Sequence, residues 1–184
     1  MTIEQLVPGF RPETPLEREL ASDPALLRGL AWGRPRPGHP EGSVGRHVGD
    51  ILAATTEPPG RRRSDLRLLA LVHDAFKHRV RPGAGYSPDN DHAVLARRFA
   101  ERYTTDPRLL DTLELHDAPY HIWRTRTDDG RAALDAVLAR IPDLELFLRF
   151  VELDGSTEGK DARPLAWLRD AAAAQAAAGL ELAA

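Results

Sequence analysis

The chain has 184 residues, a formal net charge of −3, no cysteine and 42% hydrophobic residues, enough for one well-buried domain. That charge balance excludes a strongly basic nucleic-acid surface, and the lack of cysteine excludes disulfides, thiolate-held zinc and thiol catalysis. No apolar run reaches the roughly 18–20 residues of a membrane span, and Met1, Thr2, Ile3, Glu4 and Gln5 do not open a signal peptide, so a soluble cytoplasmic protein without a membrane partner is expected.

Two helices open the chain as cover for the core. One is a weak helix at Pro15–Leu20; the other spans residues 25–32, with Asp23 as N-cap and Pro24 at its first position. Pro and Gly then break residues 34–42 into a loop, where His39 and Glu41 either face a cleft or lie on the surface. Ser43 caps a helix over residues 44–55. Its apolar stripe is Val44, Val48, Ile51 and Thr55, and His47 falls on it. A core-facing His is either a hydrogen-bonded structural residue or a ligand.

Residues 57–63 form a loop whose three arginines read as a solvated turn. Ser64 caps a helix over residues 65–78, which carries the most informative stretch of the chain, LVHDAFKH (71–78). There His73 and Asp74 interrupt an apolar helical run, and Lys77 follows one turn later on the same side. Such a pair is costly to bury without a partner, and a divalent metal suits imidazole plus carboxylate. His78 points away from that edge, as a cation at the helix C-terminus.

Residues 79–91 are a loop suited to a lid. A helix over residues 92–103 starts at His92. The next, residues 108–117, carries Leu109, Leu113 and His116 inward; Asp117 gives a second His-Asp pair, Pro119 ends the helix, and His121 follows in the loop. Asp128 or Asp129 caps a helix over residues 131–141. Pro142 opens another, whose inner stripe Phe147, Phe150, Val151 ends at Asp154. Gly155 stops it, residues 156–160 form a polar loop, and an Ala-rich helix over residues 164–180 closes the chain. No segment alternates with period 2, and no repeat appears. The expected fold class is all-α, one domain spanning residues 1–184.

Two composition facts sharpen this pattern. All seven histidines lie between His39 and His121, and the 25 cationic residues include only two lysines, Lys77 and Lys160. Both lysines fall beside residues with metal-ligand chemistry.

The ordered set His47, His73-Asp74, His92, His116, Asp154 resembles the HD-domain superfamily of metal-dependent phosphohydrolases. The resemblance covers residues 39–160, leaving covering helices at both ends. The string HPEGSVGRH (39–47) is similar to the segment that opens the HD domain of many bacterial tRNA nucleotidyltransferases, and HDAFK (73–77) resembles the HD-x-x-K signature. The resemblance implies a helical bundle with a metal site between helices. It implies His47, His73, Asp74 and Asp154 as core ligands, and His92 and His116 as holders of a second ion with Asp74 shared; His121 is the fallback for His116. The alternative is one ion with those histidines around it.

One or two divalent ions are expected, with Mn, Fe, Co, Ni, Zn and Mg not distinguished. Such an ion lowers the pKa of water and polarises a phosphoryl oxygen. Lys77 and Asp74 are read as catalytic, Lys77 neutralising a phosphate oxygen. Glu41, His39 or Asp117 would protonate the leaving oxygen. Lys160, His39, Arg46 and His121 are the expected substrate contacts. The substrate class is a nucleotide, a small phosphate ester or an RNA end, cleaved as a phosphomono- or phosphodiester. Positions 77 and 78 are Lys and His, so the His-Asp-x-x-Glu-Asp pattern of alarmone hydrolases is missing, as is the Gly-Tyr-Pro motif of cyclic-di-GMP phosphodiesterases. Two other readings use the same residues: a non-catalytic nucleotide-binding module and a di-iron oxygenase.

Overall fold

Local chemistry sets most helix starts in the computed structural model, which describes residues 1–37, 39–125 and 129–182. The N-cap carboxylates of Asp23, Asp91 and Asp106 accept from backbone N–H groups two or three residues on, as does the Ser43 hydroxyl, satisfying donors that a helix leaves unpaired. Proline stands in the first turn after three caps, at Pro15, Pro24 and Pro107, where its missing N–H costs nothing. The helices among the described residues are α1 (Ile3–Leu6), α2 (Pro15–Leu20), α3 (Pro24–Leu30), α4 (Val44–Ala54), α5 (Arg61–Val72), α6 (His92–Ala100), α7 (Pro107–Leu115), α8 (Ala118–Thr125), α9 (Gly130–Leu138), α10 (Leu144–Gly155) and α11 (Arg163–Leu182). Two isolated bridges, Gly33 with Ser43 and Arg36 with His39, are the only β pairing described. The fold is an all-α bundle in one compact domain, and no described helix is long and apolar enough to cross a membrane.

Three boundaries and one cap differ from expectation. α5 starts at Arg61 rather than after Ser64; Gly60, at φ 152°, makes the turn and Ser64 Oγ donates back to the Gly60 carbonyl. The arginine run is therefore the first turn of a helix rather than a solvated loop, its guanidiniums paired with Asp106, Glu145 and Glu13. α5 also ends early, at Val72, and a 3₁₀ turn at Lys77–Arg79 follows. Pro119 does not stop a helix: it lies in the first turn of α8, which carries His121. Asp129 precedes α9 without a side-chain cap bond, and Asp128 lies outside the described residues.

The main core is built by α1 to α7 with α10, around Leu26, Leu30, Ile51, Leu66, Leu69 and Phe150. A second cluster joins α9, α10 and α11 through Leu134, Leu138, Phe147 and Leu168. α10 thus buries two faces, with Phe150 in one core and Phe147 in the other. Under the N-terminal cover lies a charged pair: Arg67 Nε donates to Glu17 Oε1 at 2.8 Å and Nη2 to Oε2 at 2.9 Å, with both residues buried. α3 lies so close to the turn after α5 that a Cβ on Gly29 would stand 1.7 Å from the Ala75 carbonyl oxygen.

Candidate metal centre

The early end of α5 makes the site. At its C-cap, His73 leaves the helix with its side chain fully buried. Its Nδ1 lies 3.0 Å from the Ala70 carbonyl. A carbonyl only accepts, so Nδ1 carries the hydrogen and Nε2 presents a lone pair to the interior. His116, at the C-cap of α7, repeats the device with the Leu113 carbonyl at 2.8 Å. Asp74 sits beside His73 on the turn, and His92 enters from the first turn of α6. His47 comes from α4 and Asp154 from the last turn of α10.

These side chains converge. The imidazoles form a chain, with centroids 5.5 Å apart from His47 to His73, 5.3 Å from His73 to His116 and 5.4 Å from His116 to His92. Two groups have ligand atoms mutually within 4.8 Å: His47, His73 and Asp74, and Asp74, His92 and His116. Asp74 belongs to both. Asp154 adjoins the first, with Oδ1 2.8 Å from His47 Nε2 and 3.8 Å from His73 Nε2.

The polar accounting favours an ion. Buried donors and acceptors nearly always find partners. Here His73 Nε2, Asp74 Oδ1 and His92 Nε2 are buried and have none, as is His47 Nδ1 on the opposite edge of its ring. His73 Nε2 and His92 Nε2 lie 3.5 and 3.4 Å from the Asp74 carboxylate oxygens, and the chemistry of these atoms, imidazole nitrogen and carboxylate oxygen, is that of a divalent-ion ligand set. The buried His and Asp groups can hold a metal ion.

Electrostatics prepares the same atoms. Burial lowers the His73 pKa to about 4, which keeps the ring neutral and able to coordinate. Burial opposes charge on Asp74, yet Lys77 and the surrounding histidines hold its carboxyl well below the usual range. Asp154 is likewise held low against burial, by its bond to His47 and by Lys160. Lys77 Nζ bonds Asp74 Oδ2 at 2.6 Å, leaving Oδ1 for the centre. That carboxylate, with Asp117 and Asp154, raises the Lys77 pKa despite burial, so the ammonium is charged. Lys160 Nζ is 3.9 Å from Asp154. The only two lysines in the chain therefore flank the cluster.

The other expected site residues divide. His39 and Glu41 are near it: His39 Nδ1 lies 3.0 Å from Glu41 Oε1, which lies 3.8 Å from His47 Nδ1. Both line a crevice of about 10 Å³ with Asp74 and Lys77, room for about one water. Asp117 faces His121 at 3.3 Å and His92 at 3.7 Å. Although burial opposes it, its bond to His121, with His116, Lys77 and His92 nearby, holds the Asp117 carboxyl well below the usual carboxylate range. His121 is half exposed and does not replace His116. Arg46 is not brought to the cluster; it is exposed and lines a separate outer cleft with Asp50 and Glu158.

Two clefts reach the centre. The first, of about 350 Å³, includes His116, Asp154, Lys77 and Lys160 and is walled by Tyr120 and Leu165. The second, of about 940 Å³, includes His92, Asp117, Lys77 and His121 beneath residues 80–86. The sequence reading missed Tyr120 and Leu165, because the first stands in a helix read as a loop and the second in a helix read only as cover. No family model, curated protein or solved structure matches the chain.

Proposed function

We propose that the protein is a metal-dependent phosphohydrolase of the HD-domain type, cleaving a phosphate ester of a nucleotide or another small molecule, or of an RNA end. The observation that carries this reading is the cluster itself. Six His and Asp side chains from five segments meet, His73 Nε2, Asp74 Oδ1 and His92 Nε2 among them buried without a partner, and the chain's two lysines stand beside Asp74 and Asp154. His47, His73, Asp74 and Asp154 would hold one ion, and Asp74, His92 and His116 a second. A bound divalent ion supplies water of lowered pKa and polarises a phosphoryl oxygen.

The residues supply the rest. Lys77 and Lys160 carry positive charge to the mouth of the centre, where a phosphate gathers negative charge in the transition state. His73 and His116, locked by carbonyl bonds, keep Nε2 aimed inward without reorganisation. Glu41, His39 and Asp117 are the candidate proton donors to the leaving oxygen. The ligand types suit Mn, Fe, Co, Ni or Zn and do not separate them.

The test is a panel of phosphomonoesters and phosphodiesters with the protein reconstituted in Mn²⁺, Co²⁺, Ni²⁺, Zn²⁺ or Mg²⁺. Metal-dependent release of phosphate or alcohol is expected. Inertness with metal bound would favour a nucleotide-binding module. The same shared carboxylate equally suits two irons, so iron content with O₂-dependent oxidation would favour the di-iron oxygenase reading.

A further inference from the structure

We propose that the substrate is a phosphodiester whose two ester arms lie in two clefts that meet at the cluster. The inference rests on the hydrolase reading above and narrows its substrate class.

The two clefts share Lys77 and Asp117 and are otherwise lined by different residues. His116 and Asp154 face the first, and His92 faces the second. The junction, where a phosphate would meet Lys77 and the ligand set, is therefore flanked by two recesses. A monoester has one substituent on phosphorus, and a second recess gives it no contact. A diester has two, and each can exclude water along its own wall. The walls suit organic arms. Val151, Leu165 and Leu168 give the first cleft apolar wall alongside the charge of Lys160, and Tyr120 adds a ring. Val80, Val94 and Ile122 do the same in the second, with Arg81 and Arg124 near its edge. Burying apolar arms on both sides adds affinity that a single-armed ester cannot gain.

The reaction balances without a further reactant. Water oxygen forms a bond to phosphorus, one P–O ester bond breaks, and the alcohol leaves with a proton from the water. The products are one monoester and one alcohol.

The experiment compares 4-nitrophenyl phosphate with bis(4-nitrophenyl) phosphate as substrates of the Mn²⁺-loaded protein. Binding of phenyl phosphate and diphenyl phosphate is measured by calorimetry. Wild type is set against Leu165→Trp, which narrows the first cleft, and Val94→Trp, which narrows the second. Each variant should lower kcat/KM for the diester, and weaken diphenyl phosphate binding, by about tenfold, the scale of a lost apolar pocket contact. The monoester, free to place its one arm in the other cleft, should stay within about twofold of wild type by the same reasoning. Unchanged diester binding in either variant, or equal losses for both esters, would overturn the two-arm arrangement. Absence of turnover with the binding differences intact would overturn the hydrolase reading and leave the arrangement standing.

Discussion

Asp74 carries two obligations at once, with Oδ2 on the Lys77 ammonium at 2.6 Å and Oδ1 toward His92 and His116 at 3.4 and 3.7 Å. That division makes Lys77 separable from metal binding. Lys77→Ala should leave the metal content unchanged and lower kcat by about 10²-fold or more, the usual cost of losing one charge-stabilising group. Steady-state kinetics at matched metal occupancy checks it, and unchanged kcat would remove Lys77 from the reaction.

His73 gives a pH signature of known sign. Its folded pKa of about 4 lies below the ordinary 6.5, so between those values the unfolded chain binds a proton that the native protein does not. This residue's contribution to stability is therefore present above about pH 6.5 and lost as pH falls toward 4. In the metal-free protein, urea titrations across that range should show a weaker pH dependence for His73→Gln than for wild type. An identical dependence would contradict the neutral, buried ring.

At the scale of elements, the turn after α5 decides whether the cluster forms. Nothing in LVHDAFKH breaks a helix, and the 3.6-residue pattern runs through it. The sequence therefore reads as helix to residue 78, and two features accompany the actual stop at Val72, one tertiary and one local. Gly29 of α3 lies against the Ala75 carbonyl, where any side chain collides, and His73 Nδ1 takes the Ala70 carbonyl. Gly29→Ala should destabilise the protein by about 1–3 kcal/mol through overpacking, and should lower metal affinity because Ala75 follows Asp74 directly. Denaturant midpoint and metal titration measure the two effects; full metal affinity in the folded variant would detach the turn from the site. The starts of α3 and α4 were legible because Asp23 and Ser43 act locally. α8 was not, because Pro119 serves equally as a stop signal or as a first-turn residue, and only its surroundings distinguish them.

For the whole molecule, the spacing of polar residues on apolar stripes turned His47, His73, His116 and Asp154 inward, and the ordered resemblance to HD domains, not the stripes, singled out the six as one ligand set. The sharing of Asp74 by two ligand groups, the pairing of His47 with Asp154, and the two clefts are properties of packing that no stripe encodes. The same holds for the Glu17–Arg67 pair, which joins residues fifty positions apart and anchors the N-terminal cover on α5. Glu17→Ala leaves a buried guanidinium with its main partner gone and should cost about 3–5 kcal/mol. Chemical denaturation tests this, and a loss below about 1 kcal/mol would place the pair in the range of surface ion pairs.

The convergent His and Asp side chains are read as holders of metal. Elemental analysis of the purified, reconstituted protein beside Asp74→Ala tests this, with circular dichroism as the check on folding. One or two divalent ions per chain are expected in the wild type, with both groups' occupancy lost in Asp74→Ala, since Asp74 belongs to each. A wild type that takes up no metal, or a folded Asp74→Ala that retains full stoichiometry, would contradict that reading.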